Sequence, residues 1–169
     1  MFLAGLKCAA LALLTATVLA NPEFARAAQQ NITPMAASDC QAIAKTITRA
    51  TGIPLTIKVG VPDFPNDVRG NACLMSGRAT GLKVEFDDME KKANAVFSGW
   101  TTLPDISSGG PAMIGAGFAK RAQRVIYFLE DDPPRECRDI VLAACKAPLR
   151  RWTWSLKVVA FSISAESGM

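Results

Sequence analysis

The most reactive side chains in this sequence are its five cysteines, and its most telling absence is histidine, of which there is none. Without an imidazole, Ser-His and Cys-His nucleophilic pairs, histidine metal sites and the usual proton shuttle at neutral pH are missing. A pair of carboxylates could still serve as acid and base, and Glu85, Asp87, Asp88 and Glu90 lie close together. They surround an expected helix start, where negative charge stabilises the macrodipole, and so read as helix-terminal charges. Asp131 and Asp132 precede two prolines and read as a solvated turn. Gly115-Ala116-Gly117 lacks the third glycine of a dinucleotide loop, Lys120 standing in its place, and no helix follows. The expectation is therefore no catalytic residue, no cofactor and no metal.

Binding chemistry is better represented. Ser107-Ser108-Gly109-Gly110 can present backbone N–H groups to an anion or a partner. Lys120, Arg121 and Arg124 form a local basic group that could meet an anionic surface or protect strand ends from edge pairing. These seven residues are the candidate partner-binding residues. Trp152 and Trp154 alternate with polar neighbours and are expected in the core, where aromatic burial contributes most.

Cys8 lies in an apolar N-terminal run, which leaves Cys40, Cys73, Cys137 and Cys145. An even number in an oxidising compartment reads as disulfides, with three possible connectivities, and the lack of a C-x-x-C pair speaks against zinc. The expected pairs are Cys40 with Cys73, tying a helix to a strand, and Cys137 with Cys145, closing a small loop. One pattern opposes the second pair: Cys137, Ile140, Val141, Ala144 and Cys145 fit a helical stripe. Eight residues of straight helix rise about 12 Å, too far for a disulfide, so an irregular loop is expected there.

These residues need elements to hold them. The stretch Asn71–Leu82 alternates, with Cys73, Met75, Gly77 and Ala79 on one face, and reads as the central strand. Before it, Ser38 with Gln41 has capping-box spacing and opens a helix striped by Cys40, Ile43, Ala44, Ile47 and Ala50, which Gly52 and Pro54 end. Leu55, Ile57, Val59 and Val61 then mark a strand that pairs antiparallel with the central one across a turn-rich connection. Alternation continues through Leu82, Val84 and Phe86, and Asp87 with Glu90 caps a second helix striped by Met89, Ala93, Val96, Phe97 and Trp100. Thr101–Pro111 has no periodicity and reads as a surface loop. Two strands follow between Ala112 and Glu130, joined by a turn at Lys120–Arg124, and the run from Trp152 is the last strand. The order α-β-β-α-β-β-β predicts an α+β fold: an antiparallel sheet of about five strands with two helices on one face, stapled by disulfides.

The first residues carry one positive side chain and then an apolar run, Cys8 to Ala20, too short to span a bilayer. Residues 1–27 are accordingly expected to be a secretory signal peptide, cleaved after Ala25-Arg26-Ala27 or, alternatively, after Val18-Leu19-Ala20. Residues 28–37 read as a flexible lead-in, 38–164 as a single domain and 165–169 as a tail. From Ala28 the chain keeps 17 Lys and Arg against 14 Asp and Glu, a net +3. So mild an excess, together with export, speaks against a nucleic-acid partner. No transmembrane segment is expected after signal removal, and the location is periplasmic or secreted.

The motif Cys73-Leu74-Met75-Ser76-Gly77-Arg78-Ala79-Thr80-Gly81, followed by a helix ending in Gly99-Trp100, a strand pair, a cysteine pair and an alternating last strand, resembles an uncharacterised family of small exported bacterial proteins. The resemblance covers most of the chain after the signal and implies an exported α+β domain with no catalytic residues attached. Where that family places a cysteine in its penultimate strand, this chain has Val125-Ile126-Tyr127, and Cys40 is the substitute partner for Cys73. The functional expectation is a non-catalytic exported domain that binds a protein or a cell-envelope component. The alternatives are an inhibitor or immunity-type protein that blocks a foreign enzyme and, third, a hydrolase that works without histidine.

Overall fold

A computed structural model describes residues 30–63, 68–110, 113–138 and 144–164, except for the side chains of Ser107, Ser108 and Gly110. The expected signal peptide and the tail after residue 164 lie outside the described residues. The chain runs β1 (Gln30–Pro34), α1 (Ala37–Thr51), β2 (Thr56–Gly60), β3 (Val68–Gly70), β4 (Ala72–Thr80), α2 (Phe86–Ala95), β5 (Thr101–Gly110), β6 (Met113–Lys120), β7 (Gln123–Asp132) and β8 (Thr153–Ile163). Single 3-10 turns stand at Arg135–Cys137 and Leu149–Arg151.

The fold is α+β as expected, but the sheet has eight strands rather than about five. Its main path is β2-β4-β8-β7-β6-β5, antiparallel throughout, and β1 adds to β8 antiparallel while pairing β3 in parallel. The additional strands have clear origins. The segment read as a lead-in supplies β1, because Ile32 is buried against Ala72, Ile126 and Phe161. The segment read as a loop supplies β5: its alternation is broken by Pro104 and by a register shift between Leu103 and Ser108, so the strand is a bulged edge with no readable period. Asp131 and Asp132, read as a turn, end β7 instead, opposite Trp154 and Thr153.

Both helices bury their stripes on one face of the sheet. Cys40, Ala44 and Ile47 from α1 and Met89 and Ala93 from α2 join Cys73, Met75, Val125, Tyr127, Leu129, Trp154, Leu156 and Val158 in one core. Phe97 stacks on Phe118 with ring centroids 4.6 Å apart, and the Tyr127 hydroxyl donates to Asn94 Oδ1 at 2.6 Å. Burial pushes that phenol well above its ordinary pKa, with the nearby Glu90 charge acting the same way.

Helix α1 ends as the sequence indicates, on Gly52 at φ 77°. Both helices start two residues earlier than expected, with N-caps at Ala36 and Glu85 rather than Ser38 and Asp87, and neither receives a side-chain cap bond. Tertiary contacts decide the starts instead: Met35 is buried just ahead of α1, and the Phe86 ring that opens α2 stacks on Trp154 at 5.9 Å. The expected strand continuation through Val84 is also absent, because β4 stops at Thr80 and the Gly81 amide donates to Arg150 O at 3.0 Å.

Both disulfides join the expected partners, Cys40 with Cys73 and Cys137 with Cys145. The Cα atoms of the second pair are 5.4 Å apart, and the irregular loop expected between them falls largely on residues 139–143, outside the described residues.

Candidate functional site

The helices cover one face of the sheet, and the strand period dictates what the other face carries. Register places Lys58, Leu74, Val159 and Ile126 side by side across β2, β4, β8 and β7. The next row is Thr56, Ser76, Lys157, Phe128 and Gly115, and the row after it is Arg78, Ser155, Glu130 and Met113. At the Phe161 end this face is closed by Ile32 of β1. Beyond that closure it opens into a groove of about 490 Å³ lined by Lys58, Asp63, Leu74, Ser76, Met113, Phe128, Glu130, Ser155, Lys157 and Val159.

The floor of the groove is apolar and half-buried, made by Leu74, Phe128 and Val159, and the exposed Met113 stands at one end. Gly115 lies opposite Phe128 and Gly117 opposite Ile126, and a Cβ at Gly117 would meet Ile106 and Leu103 of β5. Charges of both signs line the groove: Lys58, Lys157, Glu130 and Asp63. Neither lysine makes an ion pair among the described residues, whereas Arg78, at the next rung, is held by Asp132 at 3.1 Å. A groove of this kind can take up an extended segment with apolar side chains and charged groups. Among the described residues no group of three His, Cys, Asp or Glu could hold a metal ion.

The residues singled out from the sequence lie elsewhere, in two places. Ser108, Gly109 and Gly110 pair with Gly115, Ile114 and Met113, so this run is an edge of the sheet, adjoining the groove only at Met113. Lys120, Arg121 and Arg124 lie at the β6–β7 turn. Seven strand steps separate Met113 from Lys120, roughly 24 Å at about 3.4 Å per residue. The basic group also has local work. Arg121 adopts φ 55°, Arg124 Nη1 donates to Arg121 O at 2.6 Å and to Gln123 O at 2.8 Å, and Lys120 Nζ sits 5.9 Å from the Trp100 ring centre.

Sequence reasoning passed over Lys58, Phe128 and Lys157. The available signal was the unbroken apolar run Val125–Leu129: a strand apolar on both faces has something to bury, or to bind, on each.

Scans against protein-family models, curated proteins and solved structures find no match for this chain. The resemblance carried by the Cys73–Gly81 motif therefore brings no activity with it.

Among the described residues no helix is long and apolar enough to cross a membrane.

Proposed function

We propose that this protein is a non-catalytic exported domain, periplasmic or secreted, that binds a protein or a cell-envelope component through the open face of its sheet. The observation that carries this reading is the groove between β2 and β6, with its apolar floor of Leu74, Phe128 and Val159 and its lysines Lys58 and Lys157, which make no ion pair among the described residues. Concave apolar surfaces with a few charged groups are the usual form of a binding site. Charges of both signs around the floor favour a polypeptide occupant over a uniformly anionic polymer. Export is supported by the two disulfides, which persist in oxidising compartments.

The test is site-directed photo-crosslinking in cells, with a photoreactive amino acid placed at Phe128 and, for comparison, at Arg121. The expected result is a discrete crosslinked polypeptide from position 128 that Lys157→Glu weakens, and none from position 121. Crosslinking from position 121 alone would move recognition to the basic turn and overturn the groove assignment.

A further inference from the structure

Strand β2 ends the sheet path, and among the described residues nothing pairs with its outer edge. On the helix side, Ile57 and Val59 lie opposite Met75 and Cys73, which are buried, yet Ile57 is 39% exposed, Val59 62% and Val61, just beyond the strand, 71%. A row of β-branched side chains on an unpaired edge is the arrangement that natural sheets normally guard. The other end of the path is guarded, since β5 carries Pro104 and Asp105 within its register shift. The one charge on β2, Lys58, is directed to the groove face and leaves the apolar row without a guard.

We propose that two copies of this chain pair antiparallel through β2, about a two-fold axis perpendicular to the sheet at Val59. Symmetric pairing preserves the two faces only when the axis passes through a residue. An axis at Lys58 would set the two lysines directly opposite one another, which is destabilising. An axis at Ile57 would leave Val61, the most exposed of the three, beyond the pairing. At Val59 every pair on the apolar face is apolar: Val59 meets its own copy and Ile57 meets Val61 in both directions. Lys58 then lies opposite Gly60, which has no side chain to clash with it. The sheet becomes continuous through both copies, and the two grooves open on the same face with a Lys58 on each side of the seam. Because only about five residues of each strand meet, the interface falls below the ~1,200 Å² of stable complexes, and the dimer is a weak, concentration-dependent one.

Sedimentation velocity on the exported form, from low micromolar to near-millimolar concentration, should show a reversible shift from monomer to dimer. Val59→Lys should remain folded, with an unchanged melting temperature, and stay monomeric throughout. Val59→Cys, treated with a short bismaleimide, should give covalent dimer in at least tenfold higher yield than Lys58→Cys. A single monomeric species at all concentrations would overturn the proposal. So would a folded Val59→Lys that still dimerises, or preferential crosslinking through Lys58→Cys.

Discussion

Asp131 is the residue whose setting departs most from the surface role its sequence neighbourhood implies. It is the next-to-last residue of β7, with its side chain on the helix face, directly opposite Trp154, and both Asp131 Oδ1 and Trp154 Nε1 are buried with no hydrogen-bond partner among the described residues. Burial, with the adjacent Asp132 and Glu130 charges adding to it, raises the carboxyl pKa to about 6 from 3.8, although a backbone hydrogen bond acts against the rise. The folded protein thus holds a proton between about pH 4 and 6 that the unfolded chain has released. Stability is unaffected by this group below pH 4, declines as pH rises toward 6, and stays lower above that. Asp131→Asn should therefore stabilise the protein at pH 7 and be neutral at pH 3.5. The gain is on the order of 1 kcal/mol, since the group is half-exposed and solvent screens part of the effect. Urea unfolding of both proteins at the two pH values checks this, and equal midpoints at pH 7 would contradict it. The sequence could not show the effect: Asp131-Asp132-Pro133-Pro134 has the composition of a turn, and only the pairing of β7 with β8 turns the first aspartate inward.

At the level of elements, alternation made the axis of the fold legible. The face of β4 that carries Cys73, Met75 and Gly77 and its antiparallel neighbour β2 follow from residue spacing, whereas the observed disulfide pairing is one of three connectivities the sequence allows, and the helical spacing of Cys137 and Cys145 speaks against it. What spacing does not explain is why Gly77 sits within the β4 motif. A Cβ built there would lie 2.0 Å from Pro54 O and 2.9 Å from Pro54 C, so the chain leaving α1 crosses β4 in direct backbone contact. Gly77→Ala must push that crossing away and should cost about 3 kcal/mol, the upper range for overpacking. In a chain of this size that lowers Tm by roughly 10 °C, measurable by calorimetry. The disulfides should differ in the same assay. Cys40–Cys73 closes a chain separation of 33 residues and Cys137–Cys145 one of 8. Loop entropy then gives about 4 kcal/mol for the first against about 2.5 for the second. Replacing each pair by alanine should preserve that order, and the first pair should lose more still, since Cys40 and Cys73 are core residues. Strand β5 marks where pattern reading stops: a bulged edge with Pro104 in it has no period to detect, and only its ladder with β6 identifies it.

For the whole molecule, the feature hardest to read was the closure of the sheet by its own ends. The residues before α1 are short, polar and aperiodic, yet β1 joins the last strand, with Ile32 opposite Ile163, Pro34 opposite Phe161 and the Ser164 amide donating to Asn31 O at 3.1 Å. Such a contact rests on a single buried side chain among five residues, and no periodicity can signal it. Its effect is to divide the uncovered face into a closed end, where Ile32 packs on Ala72, Ile126 and Phe161, and the open groove. This division predicts unequal responses to the same truncation at two isoleucines. Ile32→Ala removes a side chain that is 3% exposed from the smaller core and should cost about 3 kcal/mol, the usual scale for a buried isoleucine. Ile57→Ala, on the exposed row of β2, should cost under about 0.5 kcal/mol at concentrations where the protein is monomeric. Ile32→Asp should go further and free β1 from β8, exposing Phe161 and Ile126 so that a hydrophobic dye binds while the far-UV signal of the two helices persists. Comparable small losses from Ile32→Ala and Ile57→Ala, with no dye binding by Ile32→Asp, would mean that β1 does not close the sheet and that the groove extends to its end.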